Sequence, residues 1–110
     1  MKQTDISAPN FYESLSSNFP EFMKAVEGLG VAVKQAGPLD ERTVHLIQLA
    51  GAAASRSEGA VHSHTRRALA AGVTPEAIRH ALIALTSTVG FPTVVASLTW
   101  AEDQIRKQRA

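Results

Sequence analysis

The clearest structural signal in this chain comes from residues 57–72, Ser-Glu-Gly-Ala-Val-His-Ser-His-Thr-Arg-Arg-Ala-Leu-Ala-Ala-Gly. The segment predicts one helix that has a polar cluster at its start and a glycine at its end. At about 100° per residue, Val61, Ala68 and Ala71 share a face of this helix with His64. A histidine within an apolar face needs an explanation, because buried polar side chains are uncommon. His64 is therefore the first candidate site residue.

The composition indicates one small domain without a nucleic-acid or membrane partner. The chain has 110 residues, 45% of them hydrophobic, which is enough for a single core over residues 1–110. We expect residues 1–9 to be loosely ordered. A formal net charge of +1 provides no strong attraction to nucleic acid. No apolar run reaches the length of a membrane span, and the start lacks the pattern of a signal peptide, so we predict a cytoplasmic protein.

Turn and capping residues divide the chain into about six helices, and no segment shows the alternation of a strand. The first predicted helix covers residues 10–15, and the second begins at Pro20 with Asn18 as its cap. The third begins after Asp40, and the fourth covers residues 57–72. The fifth runs from Pro75 to Val89, and the sixth follows Gly90-Phe-Pro92. The pattern therefore predicts an all-α fold.

The helix after Asp40 has unusually little polar surface. Residues 44–54 are Val-His-Leu-Ile-Gln-Leu-Ala-Gly-Ala-Ala-Ala, which are apolar almost all round. Such a helix is normally buried centrally or lies in a subunit interface. Its small residues allow neighbouring helices to approach closely.

Four motifs resemble the carboxymuconolactone decarboxylase family, which includes the AhpD-like alkylhydroperoxidases. They are Leu39-Asp-Glu-Arg-Thr, His64-Thr-Arg, Thr74-Pro-Glu and Gly90-Phe-Pro92. The resemblance covers roughly residues 20–105. It implies an AhpD-like helical domain that assembles with copies of itself as a trimer or a hexamer.

The chain lacks the redox centre of the AhpD-like members. By the resemblance, their Cys-x-x-Cys positions are Ser57 and Ala60 here, and their proton-relaying glutamate is replaced by His45. A dithiol peroxidase needs a thiolate and a resolving thiol, and this sequence contains no cysteine. Dithiol peroxidase activity, which membership of the family would lead one to expect, is therefore excluded for this chain acting alone.

The decarboxylase branch of the family does not depend on cysteine. The resemblance places His64 in its active region, where the chemistry is proton transfer to a carbon that loses CO2. A histidine suits this step because its pKa lies near neutral pH. We predict a lyase or isomerase acting on a small carboxylated or lactone compound without a cofactor. The other candidate residues are His45, Glu58 and His62, which assist catalysis, and Arg66 and Gln48, which contact the substrate.

Three alternatives stay open at this point. His64 can be a buried structural histidine, and the chain can be a non-catalytic oligomeric module that binds a ligand or a partner. A metal site is the third alternative, since Glu58, His62, His64 and His45 are all suitable ligand types. Residues two apart on a helix point about 200° apart, so a metal site would require a non-helical start to the 57–72 segment.

Overall fold

The computed structural model describes the backbone of residues 8–109 and the side chains of residues 11–108. All regular structure in this part of the chain is helical, which confirms the predicted all-α fold. None of these helices is both long and apolar enough to cross a membrane. The helices are α1 (Ala8–Asn18), α2 (Pro20–Gln35), α3 (Glu41–Ala54), α4 (Glu58–Ala70), α5 (Pro75–Ile83), α6 (Thr86–Val89) and α7 (Phe91–Arg109).

The helices form two compact units, with the boundary between Pro38 and Leu39. In the first unit α1 packs against α2, and the Tyr12 hydroxyl donates a hydrogen bond to Glu27 Oε2 at 2.9 Å. Met23 is the buried residue of α2. Helix α2 also carries four apolar residues that are three or four positions apart and are exposed: Phe22, Val26, Leu29 and Val33. The prediction of one domain over residues 1–110 stays a prediction.

The start of the chain corrects two sequence expectations. Ala8 and Pro9 belong to α1, although residues 1–9 were expected to be loosely ordered; residues 1–7 lie outside the described part. Proline is compatible with the first turn of a helix because the amide hydrogens there have no intrahelical acceptor. Asn18 is the last residue of α1, so it does not cap α2. Phe19 occupies the cap position of α2 without a side-chain hydrogen bond.

The second unit contains the core that positions the candidate site. Helix α4 packs between α3 and α7, and α5 packs against α7. Trp100 packs on the edge of this core. The Arg79 guanidinium joins α5 to α7 by two hydrogen bonds to the Glu102 carboxylate. The fully buried core side chains are Leu49, Ala53, Val61, Ala68, Ile78, Leu82, Ala101 and Ile105.

Helix caps fall where the sequence predicts them in this unit. Asp40 Oδ1 accepts a hydrogen bond from the Thr43 amide at 2.8 Å, and Thr74 Oγ1 accepts one from the Ala77 amide at 3.1 Å. The Asp40 hydrogen bond lowers the pKa of that carboxyl. Gly72 has a φ of 91°, and its amide donates to the Leu69 carbonyl, which ends α4 in a left-handed turn.

The turn after α3 has the same hydrogen-bond pattern without a glycine. Arg56 has a φ of 57°, and its amide donates to the Ala53 carbonyl while the Ser57 amide donates to the Ala52 carbonyl. A non-glycine residue in this conformation costs about 1 kcal/mol or more. The Arg56 Nε–H donates to Thr93 Oγ1 at 3.0 Å, which fixes the turn against the start of α7.

The helix predicted over residues 75–89 is two helices. Helix α5 ends at Ile83 and α6 begins at Thr86. The Thr86 hydroxyl donates to the Ile83 carbonyl at 2.7 Å. Threonine hydroxyls that bond nearby carbonyls compete with the helical ladder, which explains the break.

Helix α3 is buried on one side rather than all round. Its buried residues are His45, Leu49, Ala52 and Ala53. Ile47, Gly51 and Ala54 lie on the opposite side and are exposed, with Ile47 52% exposed. The sequence predicts that this helix is buried centrally or lies in a subunit interface. Burial within the chain applies to the face that carries His45, and a subunit interface stays a prediction for the face that carries Ile47.

Candidate functional site

The candidate site is built on α4, whose start is fixed by Ser57. The Ser57 Oγ accepts a hydrogen bond from the Ala60 amide at 3.3 Å, and the segment is helical from Glu58 onward. The two positions that correspond to the family's cysteines are therefore a helix cap and a half-buried helical alanine. Because the start is helical, His62 and His64 leave α4 in different directions.

The candidate residues of α4 fall into two rows. Glu58, His62 and Arg66 are four residues apart and lie along one side of the helix. His64 and Arg67 are three residues apart and lie along another side. The sequence predicts that Glu58 and His62 assist His64, whereas the helix directs them to a different side.

The row of Glu58, His62 and Arg66 meets α7 through His62. His62 Nε2 lies 3.4 Å from Asp103 Oδ2, an ion-pair distance if the imidazole is protonated. The other oxygen of Asp103 accepts a hydrogen bond from Arg106 at 2.8 Å. His62 is therefore part of the contact between α4 and α7, and no sequence motif indicated Asp103 as its partner.

The row of His64 faces α3 and brings two histidines together. His45 lies on the buried face of α3 and is only 3% exposed, and α3 packs against α4. The two imidazoles are close enough for His45 to lower the pKa of His64. His64 is half-buried, and its buried Nδ1 atom has no hydrogen-bond partner in the described part of the chain. We call His45 and His64 the histidine pair.

The surroundings of His64 favour its neutral form. Burial is the largest cause that lowers its pKa, followed by the positive charge of Arg67 and then by His45. A lowered pKa means that the imidazole of the free protein is neutral at pH 7. A proton on His64 is correspondingly easy to transfer, because the imidazolium is a stronger acid than an ordinary one.

Gln48 and Arg66 complete the set of predicted site residues. Gln48 lies one turn beyond His45 on α3 and is half-buried. Arg66 belongs to the row of His62, so it is on a different side of α4 from His64.

The described side chains offer no donor set for a metal. Within residues 11–108, no three or more histidine, aspartate or glutamate side chains converge on one point. The metal alternative required Glu58, His62 and His64 to meet, and the helical start of α4 directs them apart.

The fold and the site define a small all-α protein with a histidine pair between two packed helices and no cysteine. A family model, that of the carboxymuconolactone decarboxylase family, matches residues 20–103. The chain therefore belongs to the carboxymuconolactone decarboxylase family. Comparisons with curated proteins and with solved structures found no match.

Proposed function

We propose that this chain is a cysteine-independent enzyme that transfers a proton to carbon in a small carboxylated or lactone compound. The observation that carries the proposal is the histidine pair, in which the Nδ1 atom of half-buried His64 has no hydrogen-bond partner among residues 11–108. A buried polar atom without a partner is costly, and a substrate that enters beside the histidine pair would supply one.

The proposed step is a decarboxylation. The bond between the substrate carbon and its carboxylate breaks, CO2 leaves, and the electron pair stays on the substrate as an enolate. Protonated His64 then donates its proton to the substrate carbon and becomes neutral. An isomerisation would use the same histidine to remove and return one proton. Either reaction needs an acid–base group whose pKa is close to the working pH, and hydrogen-bond donors for the negative charge that develops on the enolate oxygen.

His45 supports this role from α3. It is nearly fully buried against α4, at the position where the AhpD-like relatives carry their relaying glutamate. Two imidazoles at short range do not both hold a proton easily, because like charges repel at low dielectric. A proton on His45 would therefore disfavour a second proton on His64. Gln48, one turn further along α3, is a candidate hydrogen-bond donor to a substrate oxygen.

We also propose that the protein assembles with copies of itself through the exposed side of α3. Ile47, Gly51 and Ala54 are apolar or small and lie on one side of that helix, a pattern suited to close helix packing. The family resemblance implies a trimer or a hexamer.

A second candidate function is a non-catalytic oligomeric module that binds a ligand or a partner protein. The capping role of Ser57 favours it, since the first cysteine position of the redox relatives has become structural here. The two functions differ in one respect: only the enzyme needs the proton of His64.

The test is turnover of carboxymuconolactone, followed as CO2 release by the wild type and by His64→Gln. We expect the variant to be about 10²- to 10⁴-fold slower, the range that general acid–base catalysis provides. A circular dichroism spectrum and a native mass identical to those of the wild type serve as the control. Equal turnover by a folded His64→Gln variant, or no turnover by the wild type, would contradict the proposed reaction.

A further inference from the structure

Arg67 occupies the position on α4 that best suits an anion bound beside His64. It lies three residues after His64, which places the two side chains on one side of the helix, about 5–6 Å apart at their Cβ atoms. Its side chain is exposed. It has no ion-pair or hydrogen-bond partner among residues 11–108.

The other arginines of the second unit are mostly engaged. Four of the six arginines at positions 39–108 bond to a neighbour: Arg42 to the Ala71 carbonyl, Arg56 to Thr93, Arg79 to Glu102, and Arg106 to Asp103. Arg66 and Arg67 are the remaining two. Arg66 lies in the row of His62, so Arg67 is the arginine that shares a side with the histidine pair.

We infer that Arg67 binds a carboxylate of the substrate next to His64. Guanidinium and carboxylate groups match in charge and form paired hydrogen bonds. The inference rests on the proposed function and narrows its substrate class. The substrate is a small acid that keeps an anchoring carboxylate in addition to any carboxylate that leaves as CO2.

Binding at Arg67 also explains how His64 obtains its proton. In the free protein Arg67 contributes to lowering the pKa of His64. A carboxylate bound to Arg67 offsets that positive charge and adds a negative charge near the imidazole, which raises its pKa. Substrate binding therefore promotes protonation of His64, so the proton is present when the carbon needs it.

The experiment uses two probes, 5-oxotetrahydrofuran-2-carboxylate and its methyl ester, which lacks the negative charge and carries one additional methyl group. Binding to the full chain is followed by the ring resonances of His64 in NMR spectra. The variants are Arg67→Gln and, as a control that removes one positive charge from another exposed position, Lys107→Gln. We expect Arg67→Gln to weaken binding of the carboxylate about 10- to 100-fold, as loss of a charge-assisted pair does, and Lys107→Gln to change it less than about 2-fold. The ester should not distinguish the wild type from either variant.

The pKa of His64 gives a second readout that a purely structural role of Arg67 would not produce. The carboxylate should raise this pKa in the wild type and not in Arg67→Gln, and the ester should leave it unchanged. Equal affinity of Arg67→Gln and the wild type for the carboxylate would overturn the inference, as would an equal loss in Lys107→Gln or no binding by the wild type. The proposed function is judged separately, because turnover by the wild type and its loss in His64→Gln do not depend on these probes.

Discussion

His64 is a chemically unusual residue because of three neighbouring features of the structure. Its ring is partly withdrawn from water, an arginine follows it one turn along α4, and a second histidine approaches it from α3. Each of these disfavours the imidazolium, so the histidine is neutral before substrate binds. If His64 donates a proton during catalysis, it must therefore become protonated when the substrate binds.

The pH dependence of turnover follows from this property. The kcat/KM should fall as pH rises through the lowered pKa of His64 in the free protein, because the protonated form is then lost. The kcat should fall only at a higher pH, since the bound carboxylate raises the pKa of His64 in the complex. The two profiles are measured on carboxymuconolactone between pH 5 and 8. Profiles that both rise with pH would show that His64 acts as a base instead.

The sequence predicted the importance of His64 but not its environment. A rotation of about 100° per residue predicts that His62 and His64 point in different directions, and α4 is helical over both residues. Which residue each of them meets depends on how α3 and α7 pack against α4. Asp103, the partner of His62, lies 41 positions away in the chain and belongs to no motif. Long-range pairs of this kind are set by tertiary packing, which local patterns do not encode.

At the scale of the helices, local chemistry determines most of the boundaries. Asp40 and Thr74 bond to amides three residues ahead, so their roles could be predicted from neighbouring residues alone. The Arg56 turn could not be predicted, because its left-handed conformation lacks the usual glycine and is stabilised by Thr93, 37 residues away. The sequence also predicts that Asn18 caps α2, which is wrong because Asn18 is the last residue of α1. A residue type that favours the cap of one helix can also end the helix before it.

The turn at Gly72 provides a stability test of the second unit. Its φ of 91° suits glycine, and an added Cβ would lie 3.0 Å from the Arg42 Nη2 atom. Gly72→Ala should therefore lower the free energy of unfolding by about 1–2 kcal/mol. Gly37→Ala is the matched control, because its Cβ would meet no atom within 4 Å. Urea denaturation measures both variants, and equal stability of the two would contradict the account of this turn.

At the scale of the whole molecule, the exposed side of α3 is the feature that the family resemblance explains best. An isolated chain would leave Ile47 half exposed beside Gly51 and Ala54. Packing against a second copy would remove this apolar surface from water. The sequence suggested an interface from the small residues of α3, and the packing of the second unit leaves one face available for it.

The assembly is tested by native mass spectrometry of Ile47→Asp. We expect the wild type to be a trimer or a hexamer and the variant to be largely monomeric at the same concentration, because a charge in an apolar interface is costly. Lys107→Glu, an exposed change near the end of α7, serves as the control and should keep the mass of the wild type. An unchanged oligomer of Ile47→Asp would place the interface elsewhere.

The proposed site depends on His45 and His64 lying together, apart from His62. The most direct measurement is an NMR pH titration of the histidine rings in the wild type and in His45→Gln. The account predicts that His64 titrates below its ordinary pKa of 6.5 in the wild type and at a higher pH in the variant, with the His62 resonances unmoved by the substitution. A His64 titration that is the same in both proteins would contradict the pairing, and with it the proposed site.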